Sequence, residues 1–234
     1  MQFVVRYAAF PMLGTLGRRA FKLVYILYYR FLYGHRFPFA DRVERRVRDW
    51  EHLTGRGDAP VSRETWEEQY KAGSWSFMRA TDELARYSVI AGYLDHLHPN
   101  GSVLDVGSGE GLLLDHIRPS RYLGIDISEE AVRQGGHRTN DQAALLAANA
   151  EEYRPTERWD AIVFNECVYY FEDPVGTVLG YRDGLEEGGT LIVSTFRSRR
   201  ADIIAKRLIE RLSLIEEVAV TNRKGTWVVR LFRP

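Results

Sequence analysis

Cysteine occurs once in the 234 residues, as Cys167. A single thiol excludes a disulfide framework and any multi-cysteine metal site, and makes the cytoplasm the expected setting. It lies at the end of an apolar segment with no histidine beside it, which reads as buried filler and not as a nucleophile. The six histidines, at 35, 52, 96, 98, 116 and 137, show no metal-ligand spacing. Between Arg18 and Phe37 the longest uncharged run is 23–29, far short of the roughly 20 residues that cross a bilayer. A signal-peptide pattern of continuous apolar core and small-residue cleavage site is also missing. Net charge is zero, from 32 basic and 32 acidic side chains. That balance hides a division, because residues 1–40 hold six basic side chains and no acid.

What is present centres on VLDVGSGEG, 103–111. An apolar run that ends in glycines spaced two apart predicts a buried strand turning into a helix, with bare backbone brought close to a ligand. A dinucleotide turn needs G-x-G-x-x-G, and position 112 is Leu112. The pattern here is G-x-G-x-G with Asp105 two residues before Gly107. A carboxylate at that place suits an ammonium group and repels a pyrophosphate. RYLGIDIS, 121–128, reads as a second buried strand that ends in Asp126, where a carboxylate can take both hydroxyls of a ribose.

Residues 103–196 resemble a class I S-adenosylmethionine (SAM) dependent methyltransferase. VLDVGSGEG is similar to that family's first motif, GIDIS to its second, AANAEEY at 147–153 to its adenine-contacting third, and WDAIVFNECVYYFEDP at 159–174 to its fourth. The resemblance implies that Gly107, Ser108, Gly109 and Gly111 line the cofactor, with Asp105 near its amino-acid tail. It further implies that Asp126 binds the ribose, with Ile127 following it, and that Asn149, Ala150 and Glu151 lie along the adenine. Many members carry Asp where this chain has Asn149. The W-x-x-x-Y segment Trp66–Tyr70 is similar to the part of small-molecule methyltransferases that folds over the cofactor as a lid, and on that basis Tyr70, Trp75, Arg86 and Tyr87 are expected contacts.

The remaining pattern supports an α/β fold. Strands are expected at about 102–107, 121–127, 143–148, 159–166, 189–196, 214–221 and 226–232, with helices in most gaps between the first six. This alternation predicts a doubly wound sheet with helices on both faces. The short turn at 222–225 makes the last two strands a hairpin. The resemblance implies seven strands, mostly parallel, ending in a reversed edge strand. A helix over 199–212 should bury Ile203, Ile204, Leu208 and Leu212. The organisation expected is a basic, aromatic helical extension with linker at 1–60 and a methyltransferase domain at 61–234, of which 61–100 forms a helical lid.

Acceptor chemistry belongs at the carboxyl edge beside the glycine turn, in NECVYYFEDP. Asn165 and Glu166 come first there, with Tyr169 and Tyr170 shaping the pocket. Glu166 suits either a general base or the cap of the next helix. The function expected is transfer of a methyl group from SAM, with S-adenosylhomocysteine (SAH) as product and no metal, to a hydroxyl or amine of a small molecule such as a saccharide, glycolipid or secondary metabolite. The alternative is a non-catalytic SAM-binding assembly module attached through its amino-terminal helix. Residues 1–40 fit a helix packed on the domain or on a second subunit, or one lying on the inner face of an anionic membrane. Nucleic acid is a poor partner for the acidic remainder of the chain.

Overall fold

The computed structural model describes residues 61–234, so the extension and linker expected at 1–60 lie outside the described residues. Two helices come first, α1 (Arg63–Lys71) and α2 (Thr81–Leu97). There follow β1 (Ser102–Val106), β2 (Arg121–Asp126), α3 (Glu129–Gly135), β3 (Ala143–Ala147), β4 (Trp159–Asn165), α4 (Pro174–Gly180), β5 (Leu185–Phe196), α5 (Arg199–Ile209), β6 (Ser213–Asn222) and β7 (Gly225–Arg233).

These strands form one sheet in the order β3-β2-β1-β4-β5-β7-β6. Parallel pairing joins β3 through β5, and β7 runs antiparallel to both of its neighbours. β1 is buried at every residue, as a central parallel strand covered by helices on both faces must be. Its alternate residues feed two cores. Val103 packs with Ala161, Val163 and Ile192 beneath Tyr87, Ile90 and Leu94 of α2. Leu104 and Val106 pack with Ile162 and Phe164 against Val178 of α4 and Ile204 and Leu208 of α5. Strand order reverses between β1 and β4, and this switch point opens the crevice in which ligands of such sheets bind.

The reversed strand is β7, and it lies inside the sheet; the edge is β6. Burial explains the exchange. Trp227 to Phe232 are all buried, whereas β6 is exposed over most of its length, so the apolar strand takes the covered place. The helix expected after the glycine turn is a single 3₁₀ turn, Leu112–Asp115. The helix expected over 199–212 ends at Ile209, and its buried face runs through Ala201, Ile204, Ala205 and Leu208, which leaves Ile203 46% exposed.

Candidate functional site

The carboxyl end of β1 feeds a loop whose three glycines, Gly107, Gly109 and Gly111, have φ of 70°, 57° and 73°. Side chains disfavour that left-handed region. Space is also restricted, because a Cβ on Gly107 would stand 2.5 Å from Cβ of Cys167, and one on Gly109 would stand 2.6 Å from Oη of Tyr70. The Gly107 and Ser108 amides donate to the Ile125 carbonyl at 2.8 and 2.9 Å, which pins the loop to β2.

Asp105 points from β1 into this loop and is 2% exposed. Tyr122 donates its hydroxyl to Oδ2 at 2.7 Å, while Oδ1 is buried with no partner. Burial pushes this carboxyl up to about 7. Asp126, at the end of β2, accepts from the Gly109 amide on Oδ2 (2.8 Å) and from the Ser128 amide on Oδ1 (2.9 Å). It is pushed up to about 6, again chiefly by burial. Ile127 follows it, half-buried.

The two helices that precede the sheet cover the loop. A cavity of about 50 Å³ is lined by Tyr70, Trp75, Met78 and Tyr87 from this cover and by Asp105, Gly107, Ser108, Gly109 and Asn165 from the sheet. α1 contains no fully buried residue, and several polar ties join the cover to the sheet side. Glu67 accepts from the Glu129 and Glu130 amides at 2.6 and 3.1 Å, at the start of α3. Gln134 donates to the Tyr70 carbonyl at 3.1 Å, and Arg79 pairs with the buried Glu110 of the glycine loop. Spacing along the chain gives no hint of Glu67 or of the Arg79–Glu110 pair, since each depends on how the cover folds back. A second cavity, of about 260 Å³, opens beside Arg121, Tyr153 and Trp159. It lies at the amino ends of β2, β3 and β4, away from the edge at which open parallel sheets hold ligands.

Arg86 of α2 is 1% exposed. Its guanidinium donates to Asn165 Oδ1 (2.5 Å), Glu83 Oε2 (3.1 Å) and Met78 Sδ (3.5 Å), and lies 4.2 Å over the Tyr87 ring. It therefore ties the cover to the end of β4. In the loop after β3, Asn149 Oδ1 accepts from the Glu151 amide at 3.1 Å, so this side chain closes a local turn. The Ala150 carbonyl accepts from the Tyr181 hydroxyl, and Glu151 Oε1 accepts from the amides of Glu172 and Asp173. Asn149 and Glu151 thus shape the loop with their side chains.

At the end of β4, Glu166 is one of two non-glycine residues among those described with positive φ, at 64°. Holding such a conformation costs roughly 1 kcal/mol or more. Three donors hold its carboxylate: Ser194 Oγ on Oε1 (3.0 Å), and Tyr169 Oη (2.8 Å) and the Phe196 amide (3.0 Å) on Oε2. Burial raises its pKa, against the opposing pull of Arg86. It makes no cap of the next helix, a task done by Asp173. Tyr169 stands against Tyr170, and Tyr170 meets the Trp66 ring edge-on at 4.9 Å, so the wall beyond β4 is aromatic and shared with α1. Cys167, whose pKa burial raises strongly, donates its thiol to the Val106 carbonyl.

The residues fit the cofactor that the sequence resemblance implies. Asp105 Oδ1 and Ser108 Oγ are buried and unpartnered, beside a cradle that a Cβ would fill. An unpartnered anionic oxygen in such a place matches an ammonium group. The described residues contain no cluster able to hold a metal ion.

Comparison with known proteins agrees. A family model described as a methyltransferase domain matches residues 74–230. A malonyl-[acyl-carrier protein] O-methyltransferase of Acetivibrio thermocellus is 32% identical over 99 residues, which is 40% of this chain and 35% of that protein. The chain thus matches only about a third of that relative's length. The N-methyltransferase NodS of Bradyrhizobium japonicum, solved with SAH, superposes with a TM-score of 0.58 at 22% identity, over 68% of this chain and 90% of that one. A methyltransferase solved with the Haloferax volcanii Trm112 activator gives 0.59 at 17% identity, over 74% and 99%. At such identities the likeness is one of fold, that of class I methyltransferases.

Proposed function

Because the chain belongs to this methyltransferase domain family, we propose that it transfers the S-methyl group of SAM to a hydroxyl or amine of a small molecule of saccharide, glycolipid or secondary-metabolite type. The observation that carries the reading is the unpartnered Oδ1 of Asp105 beside the left-handed glycine loop, beneath Tyr70 and Trp75. The named activities of NodS and of the Acetivibrio relative support transfer to nitrogen and to oxygen, respectively.

SAM supplies a methyl group already activated on a cationic sulfur, so the chain's own task is placement. Asp105 takes the ammonium group, and Asp126 offers its remaining lone pairs to the ribose hydroxyls while bracing Gly109. Tyr70 and Trp75 exclude water and present aromatic faces to positive charge. Asn165 and the Tyr169–Tyr170 wall bound the side from which an acceptor arrives. Fixing two reactants in line supplies on the order of 7 to 11 kcal/mol of barrier reduction. We assign residues 1–40 to contact with an anionic membrane or with a second subunit, on their charge alone, and place the protein in the cytoplasm or at the inner membrane face.

Incubation with radiolabelled SAM and cell extract fractionated into lipid, carbohydrate, RNA and protein pools tests the function. Label should enter the lipid or carbohydrate pool. SAH binding with no label in any pool would favour the non-catalytic assembly role. The cover can be tested separately. Glu67→Ala is expected to speed SAH release roughly tenfold, the equivalent of about 1.4 kcal/mol for lost charge-assisted bonds. Stopped-flow fluorescence of Trp66 and Trp75 reads the rate, and an unaltered rate means the Glu67 contact does not hold the cover.

A further inference from the structure

Asp105 and Asn165 share one face of the sheet. Asp105 lies opposite Val163 in the register of β1 on β4, so Asn165, two residues further along β4, projects on the same side and one step nearer the carboxyl edge. Both line the cavity under the cover. Arg86 is not among the lining residues, yet its Nη1 reaches Asn165 Oδ1 at 2.5 Å. A guanidinium carries donors only, so the atom it meets must be the amide oxygen, which leaves the Asn165 carboxamide a single orientation. Reversing it would set Nδ2 against a buried cation. Arg86 is itself fixed by Glu83 Oε2 at 3.1 Å, by Met78 Sδ at 3.5 Å and by the Tyr87 ring, and both members of the Arg86–Glu83 pair are buried. A buried ion pair adds little net stability by itself. What this one adds is direction: with Oδ1 held, the two hydrogens of Nδ2 are the part of Asn165 that remains for the cavity.

We infer that Nδ2 of Asn165 donates to the α-carboxylate of the SAM amino-acid tail, and that Arg86 is a positioning residue which acts on that contact through Asn165. The inference rests on the methyl-transfer reading above. Ammonium and carboxylate are carried by the same carbon atom, so a cavity that seats the first on Asp105 must meet the second with donors close by. Asn165 Nδ2 supplies them from the end of β4, and Ser108 Oγ, buried and unpartnered, supplies another from the glycine loop. The two charges of the tail thus find opposite partners on neighbouring strands. The positive charge of Arg86 polarises the Asn165 amide and strengthens its N–H groups as donors, while the guanidinium itself stays dry and fixed.

Calorimetric titration of the full-length protein with SAH and with decarboxylated SAH, which keeps the adenosine and the ammonium but lacks the carboxylate, tests both parts. Wild type should prefer SAH by roughly ten- to a hundredfold, the range of a hydrogen bond to a charged group. Asn165→Asp is isosteric, keeps an oxygen for Arg86 and replaces the donor by a second anion. It is expected to erase the preference by weakening SAH, while the decarboxylated ligand stays within about threefold of its wild-type affinity. Arg86→Lys keeps a buried cation for Glu83 but loses the planar fork that reaches Asn165, and should cut the preference several-fold. In an Asn165→Ala background the same Arg86→Lys change should have no further effect on the preference. An equal loss in both backgrounds means that Arg86 meets the carboxylate directly and overturns the positioning role. Wild type that binds both ligands alike, or Asn165→Asp that keeps the preference, overturns the carboxylate assignment and leaves methyl transfer standing. Wild-type protein that binds neither ligand defeats the methyl-transfer reading itself.

Discussion

Gly107→Ala is expected to abolish cofactor binding and to destabilise the fold. At φ of 70° an alanine costs about 1 to 2 kcal/mol in backbone strain. Its Cβ would also stand 2.5 Å from Cβ of Cys167, which is buried and hydrogen-bonded to Val106. Relief requires either the glycine loop or the backbone at Cys167, just beyond β4, to shift, and a core contact forced in this way costs about 1 to 3 kcal/mol more. Together these lower the melting temperature by roughly 5 to 15 °C for a domain of this size. A second substitution, Cys167→Gly, removes the contact but not the strained dihedral, so it should restore part of the stability lost and none of the position of Asp105. A thermal scan with SAH calorimetry decides the matter: near-wild-type melting and affinity in Gly107→Ala would show that the loop is not the cradle.

The second large effect is a pH dependence with opposite signs in the free and bound protein. Burial lifts Asp105 from 3.8 to about 7 and Asp126 from 3.8 to about 6. A carboxyl whose pKa is raised by folding holds its proton more tightly in the folded chain. Its contribution to stability is therefore complete below about pH 4 and is lost as pH rises through 6 to 7. Holding the ammonium of the cofactor, by contrast, requires Asp105 to be ionised. SAH affinity should climb over the same interval and peak between about pH 7 and 8, beyond which an α-amino group loses its own proton. Asp105→Asn keeps an acceptor for Tyr122 but removes the charge. It is expected to flatten both curves and to weaken SAH by roughly ten- to a hundredfold at the wild-type optimum. Calorimetry and melting curves across this range provide the check, and parallel curves for wild type and variant would place the ammonium elsewhere.

The central strands were readable because covered parallel strands are nearly continuous apolar runs, as in SVLDV and WDAIVFN. The first half of β5 was not. Leu185 to Gly189 carry exposed Glu186 and Glu187 and a left-handed Gly188, none of which signals a strand, yet the segment joins the sheet through a register shift opposite Trp159 and Ala161. Asp105 and Asp126 could be placed from the sequence because a strand end fixes where a side chain emerges. For Asn149 and Glu151 the motif marks the loop after β3, but the direction of the side chain is set by competing backbone amides, which the spacing does not encode. Arg86 was expected at the cofactor, and its engagement with Asn165, Glu83 and Met78 could emerge only from the packing of α2 across β4.

The cover helix α1 buries none of its residues fully and is held by a few polar contacts and the edge of one ring pair, Trp66 on Tyr170. A segment held so lightly opens at a small fraction of the energy needed to unfold the sheet, and its amides should exchange with solvent far sooner than those of β1. Changes on the exposed face of α1 should therefore leave the sheet thermodynamically indifferent, so the cover can be loosened by mutation without unfolding the strand that carries Asp105.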